Sequence, residues 1–271
     1  MLKINLDELK IEHPYKRNDK CPYTEPNIND TCLLEAEGEV IGFYIKDLDD
    51  VSPKMAQLLG IANAEFRTDR VPKQYIDRMA TLQIEGSRAE ARDKGMTQWS
   101  TMLGSIPPQP VMKRNYRNQA QIHRVEKAQL FVKAMMGIAL ESENIFKKLA
   151  PHLYEQQMEC VKDVAKEWRF GNMFTSGICN FNIAVDYHQD IRNIVGSLNV
   201  ILTRRNNANG GCLNVPDYNA TFEQGNNSML VYPAWRNMHG VTPIEQFDDE
   251  GYRNSFILYS LKAFIDGDGQ K

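Results

Sequence analysis

The segment Tyr-His-Gln-Asp-Ile-Arg-Asn at residues 187–193 follows an apolar run and places His188 two residues before Asp190. In an extended strand, residues two apart project to the same side, so this histidine and this carboxylate can point at one place. Such a pair is either part of a metal site or a surface ion pair. Residues elsewhere in the chain decide between these two interpretations.

Two residues in the last third of the chain favour the metal site. His239 lies in the segment WRNMHGVTP after an apolar run, and Arg253 begins the last apolar run. Two histidines and one carboxylate occupy one face of an octahedral ferrous iron and leave positions open for a chelating co-substrate and oxygen. An arginine binds the far carboxylate of such a co-substrate through its planar, permanently charged guanidinium. The ordered set therefore predicts a ferrous-iron site with a carboxylate-bearing co-substrate.

The same segments resemble the Fe(II)/2-oxoglutarate-dependent dioxygenases, and among them the TET/JBP branch, which oxidises the 5-methyl group of pyrimidines in DNA. Residues 188–205 are similar to the TET segment in which H-R-D-I-H-N precedes a strand ending in Leu-Thr-Arg. Residues 239–259 are similar to the block in which H-A-x-T-P precedes R-x-S-x-x-x-Y. GGCL at 210–213 resembles the Gly-Gly-x-Leu of the wider superfamily. The resemblance covers about residues 168–264.

For the cofactors, the resemblance implies Fe(II) bound by His188, Asp190 and His239, with O2 as co-substrate. Arg253 and Ser255 fall on the pair that holds the carboxylate of 2-oxoglutarate. The implied reaction converts 2-oxoglutarate to succinate and hydroxylates a substrate methyl group. The protein itself supplies binding, orientation and the exclusion of side reactions.

For the substrate, the resemblance implies a methylated pyrimidine in DNA, flipped or single-stranded, because a stacked base is out of reach. Asn193 matches the asparagine that contacts the target base in TET enzymes, Tyr259 matches the tyrosine that stacks on it, and Arg192 is expected to contact DNA. Where TET enzymes carry a base-contacting histidine, this chain has Leu261, which forms no side-chain hydrogen bond. The expected substrate is 5-methylcytosine, with thymine, which JBP enzymes oxidise, as the alternative.

Further polar residues near the β-rich half are candidates for ligand contacts. Asn180 and Asn182, in the segment CNFN, alternate to the same side of a predicted strand and are expected to hydrogen-bond the co-substrate. Arg169 lies in sequence just before the β-rich half and could also reach the co-substrate. Phosphate contacts are electrostatic and independent of sequence. The candidates for them are basic residues outside the metal motif: Lys113, Arg114, Arg117, Arg124, Arg204 and Arg205.

The pattern along the chain predicts the scaffold that positions these residues. From Phe170 onward, short β-rich runs alternate with Gly, Asn and Pro, which is typical of a β-sandwich or barrel. The expected fold class is α+β, with a double-stranded β-helix of jelly-roll or cupin type at its core and N-terminal helices as a buttress. Residues 1–167 are expected to buttress the catalytic core at 168–271 within one integrated domain.

The N-terminal part predicts a mixture of elements. Residues 1–31 indicate an arm or irregular cover, and 32–48 indicate two strands around a Glu-Gly turn. A helix is predicted from Ser52, with Pro53 in its first turn. The Gly, Ser and Pro content of residues 86–110 predicts a loop-rich segment. Two longer helices are predicted over about 117–148 and 151–167, where apolar residues recur at helical spacing.

Composition and charge exclude several other classes of protein. The chain has 271 residues, 42% hydrophobic and 25% charged, as in ordinary globular domains. A net charge of −3 excludes a globally basic nucleic-acid coat but not a local basic groove. The five cysteines form no C-x-x-C, which argues against a zinc ribbon and a disulfide scaffold. The cysteine-rich module of animal TET proteins is therefore missing, and a minimal phage or microbial relative is expected.

The expected location, and the expectation of no membrane partner, follow from features that the sequence lacks. The first residues contain no apolar signal core, and no stretch approaches the roughly 18 apolar residues of a membrane helix. The expectation is a cytoplasmic protein, in the host cytoplasm if phage-encoded, with DNA and no membrane as its partner. A monomer is expected.

Two alternative functions remain open at this point. An AlkB-like repair dioxygenase, which removes N-methyl lesions, also carries HQD, a distal histidine and arginines after it. The D-I-x-N and R-x-S-x-x-x-Y matches favour the TET side. A non-catalytic β-barrel binding module is the other alternative, but it has no need for two histidines, an aspartate and an arginine in this order.

Overall fold

The computed structural model describes residues 1–9, 14–75, 98–110 and 113–265. Within these residues the chain forms three α-helices and sixteen β-strands. The helices are α1 (Pro53–Phe66), α2 (Gln129–Leu149) and α3 (Pro151–Cys160). The strands are β1 (Leu2–Asn5), β2 (Cys32–Ala36), β3 (Glu39–Ile45), β4 (Gln74–Tyr75), β5 (Trp99–Ile106), β6 (Asn118–Gln119), β7 (Ser176–Phe181), β8 (Val185–His188), β9 (Asn199–Asn206), β10 (Ala208–Gly210), β11 (Leu213–Val215), β12 (Ala220–Phe222), β13 (Ser228–Tyr232), β14 (His239–Val241), β15 (Ile244–Gln246) and β16 (Tyr252–Tyr259).

The strands form a large sheet and a small sheet. The large sheet has ten strands in the order β1-β2-β3-β13-β9-β16-β7-β5-β4, with β6 paired to β5. The small sheet has four strands in the order β12-β11-β14-β8, and all its pairings are antiparallel. Strands β10 and β15 form a separate two-stranded ribbon. The large sheet takes strands from both sides of residue 167, so the N-terminal part supplies strands as well as helices.

Alternation along the central strands divides the apolar side chains between two cores. In β9, Val200 and Leu202 belong to the core shared with the helices, whereas Ile201 belongs to the core shared with the small sheet. In β3, Phe43 and Tyr44 are divided in the same way. Because successive side chains of a strand project to opposite faces, one strand serves both cores.

The helices cover the face of the large sheet that is turned away from the small sheet. Helix α1 begins as predicted, because the Ser52 hydroxyl accepts a hydrogen bond from the backbone N–H of Met55 at 3.2 Å. Near its end, the Phe66 ring centroid lies 5.9 Å from that of Phe131 in α2 and 5.6 Å from that of Phe256 in β16. This arrangement leaves the space between the two sheets for a binding site.

The two longer helices are shorter than the sequence predicts. Helix α2 begins only at Gln129, because Val125 has an extended backbone and separates two short 3-10 turns before it. Helix α3 ends at Cys160. Beyond its end, the Arg169 guanidinium donates hydrogen bonds to the carbonyl oxygens of Val161 at 2.7 Å and Val164 at 2.9 Å. Arg169 therefore stabilises this chain reversal, and the expectation that it reaches the co-substrate is wrong.

Part of the predicted loop-rich segment is a strand of the large sheet. Strand β5 pairs with β7 in antiparallel register from Trp99 to Gly104, and most of its side chains are buried. The Gly and Ser residues in this segment favour a loop locally, but pairing and burial override that preference. Residues 86–97 of the predicted loop lie outside the described residues.

Gly42 allows β3 to approach β13 closely, because a Cβ atom at this position would overlap the carbonyl oxygen of Val231. We expect Gly42→Ala to lower the free energy of unfolding by about 1–3 kcal/mol, as overpacking does in well-packed cores. Gly60→Ala in α1 is the matched control, since an added Cβ there has no neighbour within 4 Å. It should raise stability by up to about 1 kcal/mol. Denaturant unfolding measures the free energy of unfolding of both variants. A Gly42→Ala variant as stable as the wild type would contradict the prediction.

Candidate active site

A cavity of about 590 Å³ lies between the two sheets. Strands of the large sheet supply Asn180 and Ile201 to its wall, and the small sheet supplies Val185 and Leu213. Most of the residues singled out in the sequence also line it. They are His188, Asp190, Arg192, Asn193, His239, Arg253, Ser255, Tyr259 and Leu261.

The two histidines face each other across neighbouring strands of the small sheet. His188 ends β8, His239 begins β14, and the two are register partners in this antiparallel pair. Their ring centroids are 4.4 Å apart. Asp190 lies in the turn after β8, where its backbone N–H donates to the carbonyl of Ala234 at 3.1 Å. One side-chain ligand atom from each of the three residues lies within 4.8 Å of the others, which is compatible with one shared metal ion.

Backbone carbonyls orient both imidazoles. Nδ1 of His188 lies 2.9 Å from the carbonyl oxygen of Asp186, and Nδ1 of His239 lies 3.0 Å from that of Asn237. When Nδ1 carries the proton, it donates to the carbonyl and Nε2 keeps its lone pair for a metal. Burial lowers the pKa of His239 to about 4, and the neighbouring His188 acts in the same direction while Asp190 opposes both. His239 is therefore neutral at physiological pH, as a metal ligand must be.

Two buried asparagines fix the Asp190 carboxylate. Its Oδ2 accepts hydrogen bonds from the Asn199 side-chain amide at 3.0 Å and from the Asn193 amide at 3.4 Å. The Asn193 amide also donates to Oδ1 of Asn199 at 2.8 Å. The other carboxylate oxygen, Oδ1, lies 3.7 Å from Nε2 of His188. One oxygen is thus used for orientation, and the other faces the histidines.

Arg253 is a buried cation without a carboxylate partner among the described residues. It is 2% exposed, and its guanidinium donates a hydrogen bond to Oε1 of Gln224. Its Nε and the Nε2 of Gln224 are both buried without a hydrogen-bond partner. Burial and, secondarily, the nearby Arg205 lower the pKa of Arg253 to about 9. An unpaired buried charge is costly, so these donors suit an anionic ligand in the cavity.

The predicted substrate contacts surround the same cavity. Tyr259 lines the wall, and burial raises the pKa of its phenol, which is therefore neutral. Leu261 forms an isolated backbone bridge with Asn193 and also belongs to a small apolar cluster with Phe264. Arg192 lines the cavity with an exposed side chain.

Asn182 is the predicted site residue that lies outside the cavity lining. It follows the end of β7 in a left-handed conformation, with φ of 53°, so the alternation expected of a strand does not extend to it. Its side-chain oxygen accepts a hydrogen bond from the backbone N–H of Arg253 at 2.7 Å. Asn182 therefore positions the start of β16, while Asn180 reaches the cavity.

Comparisons with known proteins identify the family. Residues 107–262, more than half of the chain, match the Tet_JBP model, described as the oxygenase domain of the 2OGFeDO superfamily. The chain belongs to this family. It is an oxidoreductase, and the superfamily uses Fe(II) and 2-oxoglutarate. No curated protein matches the sequence of this oxygenase.

Three solved structures match most of this Tet_JBP oxygenase, and one of them has a TM-score above 0.5. NgTET1 in complex with 5mC DNA has a TM-score of 0.56 at 12% identity, covering 92% of this chain and 84% of that chain. A 2OG-Fe(II) oxygenase family oxidoreductase from Burkholderia pseudomallei gives 0.37 at 13% identity, covering 74% and 76%. OsALKBH1 gives 0.42 at 9% identity, covering 81% and 96%. The similarity to NgTET1 confirms the expected α+β fold with a double-stranded β-helix core.

The residues that line the cavity of this oxygenase and were missed in the sequence include Arg17, Asn199 and Gln224. Asn199 and Gln224 are buried polar residues within β-rich runs; Asn199 follows Leu198, and Gln224 follows Glu223. A polar residue in such a run is a weak signal, because most side-chain amides lie at the surface. Arg17 comes from the N-terminal arm, far from any motif, and no signal in the sequence pointed to it.

The predicted phosphate contacts of this oxygenase are not part of the cavity lining. Several are bound within the fold: Arg114 donates to the carbonyl of Pro107 at 2.7 Å, Arg117 to that of Ile265 at 3.1 Å, and Arg205 to that of Gly210. Arg17 and Arg192 are the exposed arginines of the cavity. Within the described parts of the chain, no helix combines the length and apolar character needed to span a membrane.

Proposed function

We propose that this oxygenase hydroxylates the 5-methyl group of 5-methylcytosine in DNA. The observation that carries the proposal is the shared cavity, in which the histidine–aspartate cluster, the unpaired Arg253 and Tyr259 line one space. A volume of about 590 Å³ falls within the range of pockets for small ligands. The similarity in fold to NgTET1, which was solved with 5mC DNA, supports the same substrate class.

In this proposal, His188, Asp190 and His239 would hold Fe(II) through two imidazole nitrogens and one carboxylate oxygen. With Fe(II) and 2-oxoglutarate bound, O2 is consumed, 2-oxoglutarate becomes succinate and CO2, and the second oxygen atom enters the substrate methyl group. Asn193 and Asn199 keep the Asp190 carboxylate in place through their amides. The geometry gives Asn193 this orienting role in addition to the base contact expected from the sequence.

The co-substrate carboxylate is assigned to the donors around Arg253. Arg253, Ser255 and Gln224 line the cavity and are each no more than 2% exposed. A carboxylate accepts hydrogen bonds but donates none, so it satisfies the unpartnered Nε of Arg253 and Nε2 of Gln224 together. Charge-assisted hydrogen bonds of this kind are the strong ones.

The substrate base is assigned to the wall formed by Tyr259, Asn193 and Leu261. A base enters this cavity between the sheets only after it leaves the helical stack. Stacking on Tyr259 would contribute roughly 1–3 kcal/mol. Arg192, which lines the cavity, is assigned to the backbone that flanks the base. Leu261 provides no hydrogen bond for the amino group of cytosine, and this specific observation makes thymine the second candidate substrate.

The test is aerobic incubation with Fe(II), 2-oxoglutarate and DNA that carries either 5-methylcytosine or only thymine, followed by mass spectrometry of nucleosides. Hydroxymethylcytosine from the first DNA supports the proposal. Oxidised thymine alone would replace the substrate with thymine. No oxidised pyrimidine from either DNA, together with removal of N-methyl lesions, would overturn the proposal in favour of a repair dioxygenase.

Gln224→Leu tests the co-substrate assignment. A hydrogen bond to a charged group contributes about 1.5–3 kcal/mol, so its loss should raise the Kd for 2-oxoglutarate roughly tenfold or more. Anaerobic calorimetric titration of the Fe(II)-loaded protein measures this. Pyruvate is the control ligand, because it lacks the distal carboxylate and its weaker binding should not change. Equal losses for both ligands would indicate a general disturbance of the cavity and contradict the assignment.

A further inference from the structure

The N-terminal arm, residues 14–21, packs on the strand that presents His188. The backbone N–H of Asn18 donates to the carbonyl of Tyr187 at 2.8 Å, and the N–H of Tyr187 donates to the carbonyl of Asp19 at 2.9 Å. The Tyr15 and Tyr187 ring centroids are 4.4 Å apart. Because Tyr187 directly precedes His188, the arm is fixed at the edge of the candidate metal site.

The end of the arm packs on the strand that presents His239. Cys21 is 4% exposed and lies against Gly240, the residue after His239. A Cβ atom added to Gly240 would lie 2.7 Å from the Cβ of Cys21 and 2.9 Å from its sulfur, so the contact requires glycine. The arm therefore contacts both strands that carry the histidines. It also lies outside residues 107–262, which match the family model.

The fixed part of the arm includes a turn that carries Arg17. The side-chain oxygen Oδ2 of Asp19 accepts a hydrogen bond from the backbone N–H of Lys16 at 2.7 Å and closes this turn. The Arg17 side chain is exposed and lines the cavity, which places it at the opening. It forms no hydrogen bond or ion pair with another residue of the described ranges. Arg192 is likewise exposed, lines the cavity and has no side-chain partner among the described residues.

We propose that the arm is part of the nucleic-acid-binding surface and that Arg17, together with Arg192, contacts the phosphates beside the nucleotide held in the cavity. This inference rests on the proposed function, since it takes DNA as the partner. Two unpaired cations at the opening of a cavity suit a polyanion whose single unit enters it. Arginine binds phosphate through a planar, bidentate fork, and such contacts position the strand without reading its sequence.

The binding experiment uses the Fe(II)- and 2-oxoglutarate-loaded protein under anaerobic conditions with a single-stranded oligonucleotide that contains 5-methylcytosine. Arg17→Gln should weaken binding about twofold to fivefold near 0.1 M salt, as for one exposed ion pair. The sharper readout is the slope of log K against log salt concentration, which should become shallower by about 0.7 for one lost phosphate contact on a single strand. Arg17→Lys keeps the charge and should retain most of the slope.

Lys133→Gln is the matched control, because it removes one exposed positive charge from α2, away from the cavity lining. It should change neither affinity nor slope. If the wild-type protein binds the oligonucleotide and Arg17→Gln has the same slope, the inference about the arm is wrong while the proposed function stands. If the loaded wild-type protein neither binds nor oxidises methylated DNA, the proposed function itself fails.

Discussion

Replacing Asp190 with alanine is expected to abolish 2-oxoglutarate turnover and substrate oxidation. The loss should exceed about 100-fold, the upper range for residues that only orient metal ligands. Without this carboxylate, only two imidazoles of the cluster remain to bind Fe(II), and its anionic member is lost. Succinate and oxidised nucleosides measured by mass spectrometry report turnover. Iron content after anaerobic loading and desalting reports metal binding.

Asp190 also accepts hydrogen bonds from Asn193 and Asn199, so the alanine variant leaves two buried amides without their acceptor. Asp190→Asn keeps the shape of the side chain and removes the charge, and it should lose turnover as well. Asp163→Ala is the matched control at an exposed position and should retain full turnover. Full turnover by either Asp190 variant would show that a different residue completes the metal site.

Replacing Arg253 with methionine is expected to change stability and ligand binding in opposite directions. Because the guanidinium is buried without an anion, its removal should stabilise the ligand-free protein by about 1 kcal/mol or more, as with buried ionic groups replaced by apolar ones. The same change removes the cation proposed to hold 2-oxoglutarate. A loss of about 2–5 kcal/mol of binding energy should raise the Kd for 2-oxoglutarate by about 30-fold or more.

Thermal unfolding of the Fe(II)-loaded protein with and without 2-oxoglutarate separates the two effects. The Tm of the wild type should rise when 2-oxoglutarate binds, by mass action. Arg253→Met should have a higher Tm without the ligand and show little further rise with it. Arg204→Met is the control on the neighbouring strand β9, since Arg204 does not line the cavity and its guanidinium contacts Asn227. It should keep the shift caused by 2-oxoglutarate. A full shift in Arg253→Met would place the co-substrate elsewhere.

The family and the fold class were both predictable from the sequence, because the residues that carry them are local patterns. H-x-D, the distal histidine and the R-x-S-x-x-x-Y block each occupy one short segment, and all three lie in the part of the chain that the family model matches. The strands from residue 176 onward were also predictable, since alternating and β-branched residues between turn residues specify them locally. The capped start of α1 at Ser52 belongs to the same class of local signal.

The wrong predictions have other causes. Strand β5 contains Gly and Ser and is a strand only because β7 pairs with it. Arg169 stands near the site in sequence, but carbonyl groups at the end of α3 bind its guanidinium. Asn182 was placed by strand alternation, and the left-handed backbone after β7 turns it toward the backbone of Arg253. In the first and third cases a segment distant in sequence determined the outcome, whereas Arg169 is bound by carbonyl groups five and eight residues before it.

By itself, the sequence determined which residue types stand at the proposed iron-binding and co-substrate positions, because their order and spacing are properties of the linear chain. Only the tertiary structure decided what surrounds them. Asn199 orients Asp190, Gln224 contacts Arg253, and the arm brings Arg17 to the cavity opening, although these residues lie in separate segments of the chain. The physical reason is that a buried carboxylate or guanidinium requires hydrogen-bond partners, and the packing of the two sheets, rather than neighbourhood in sequence, determines which segment supplies them.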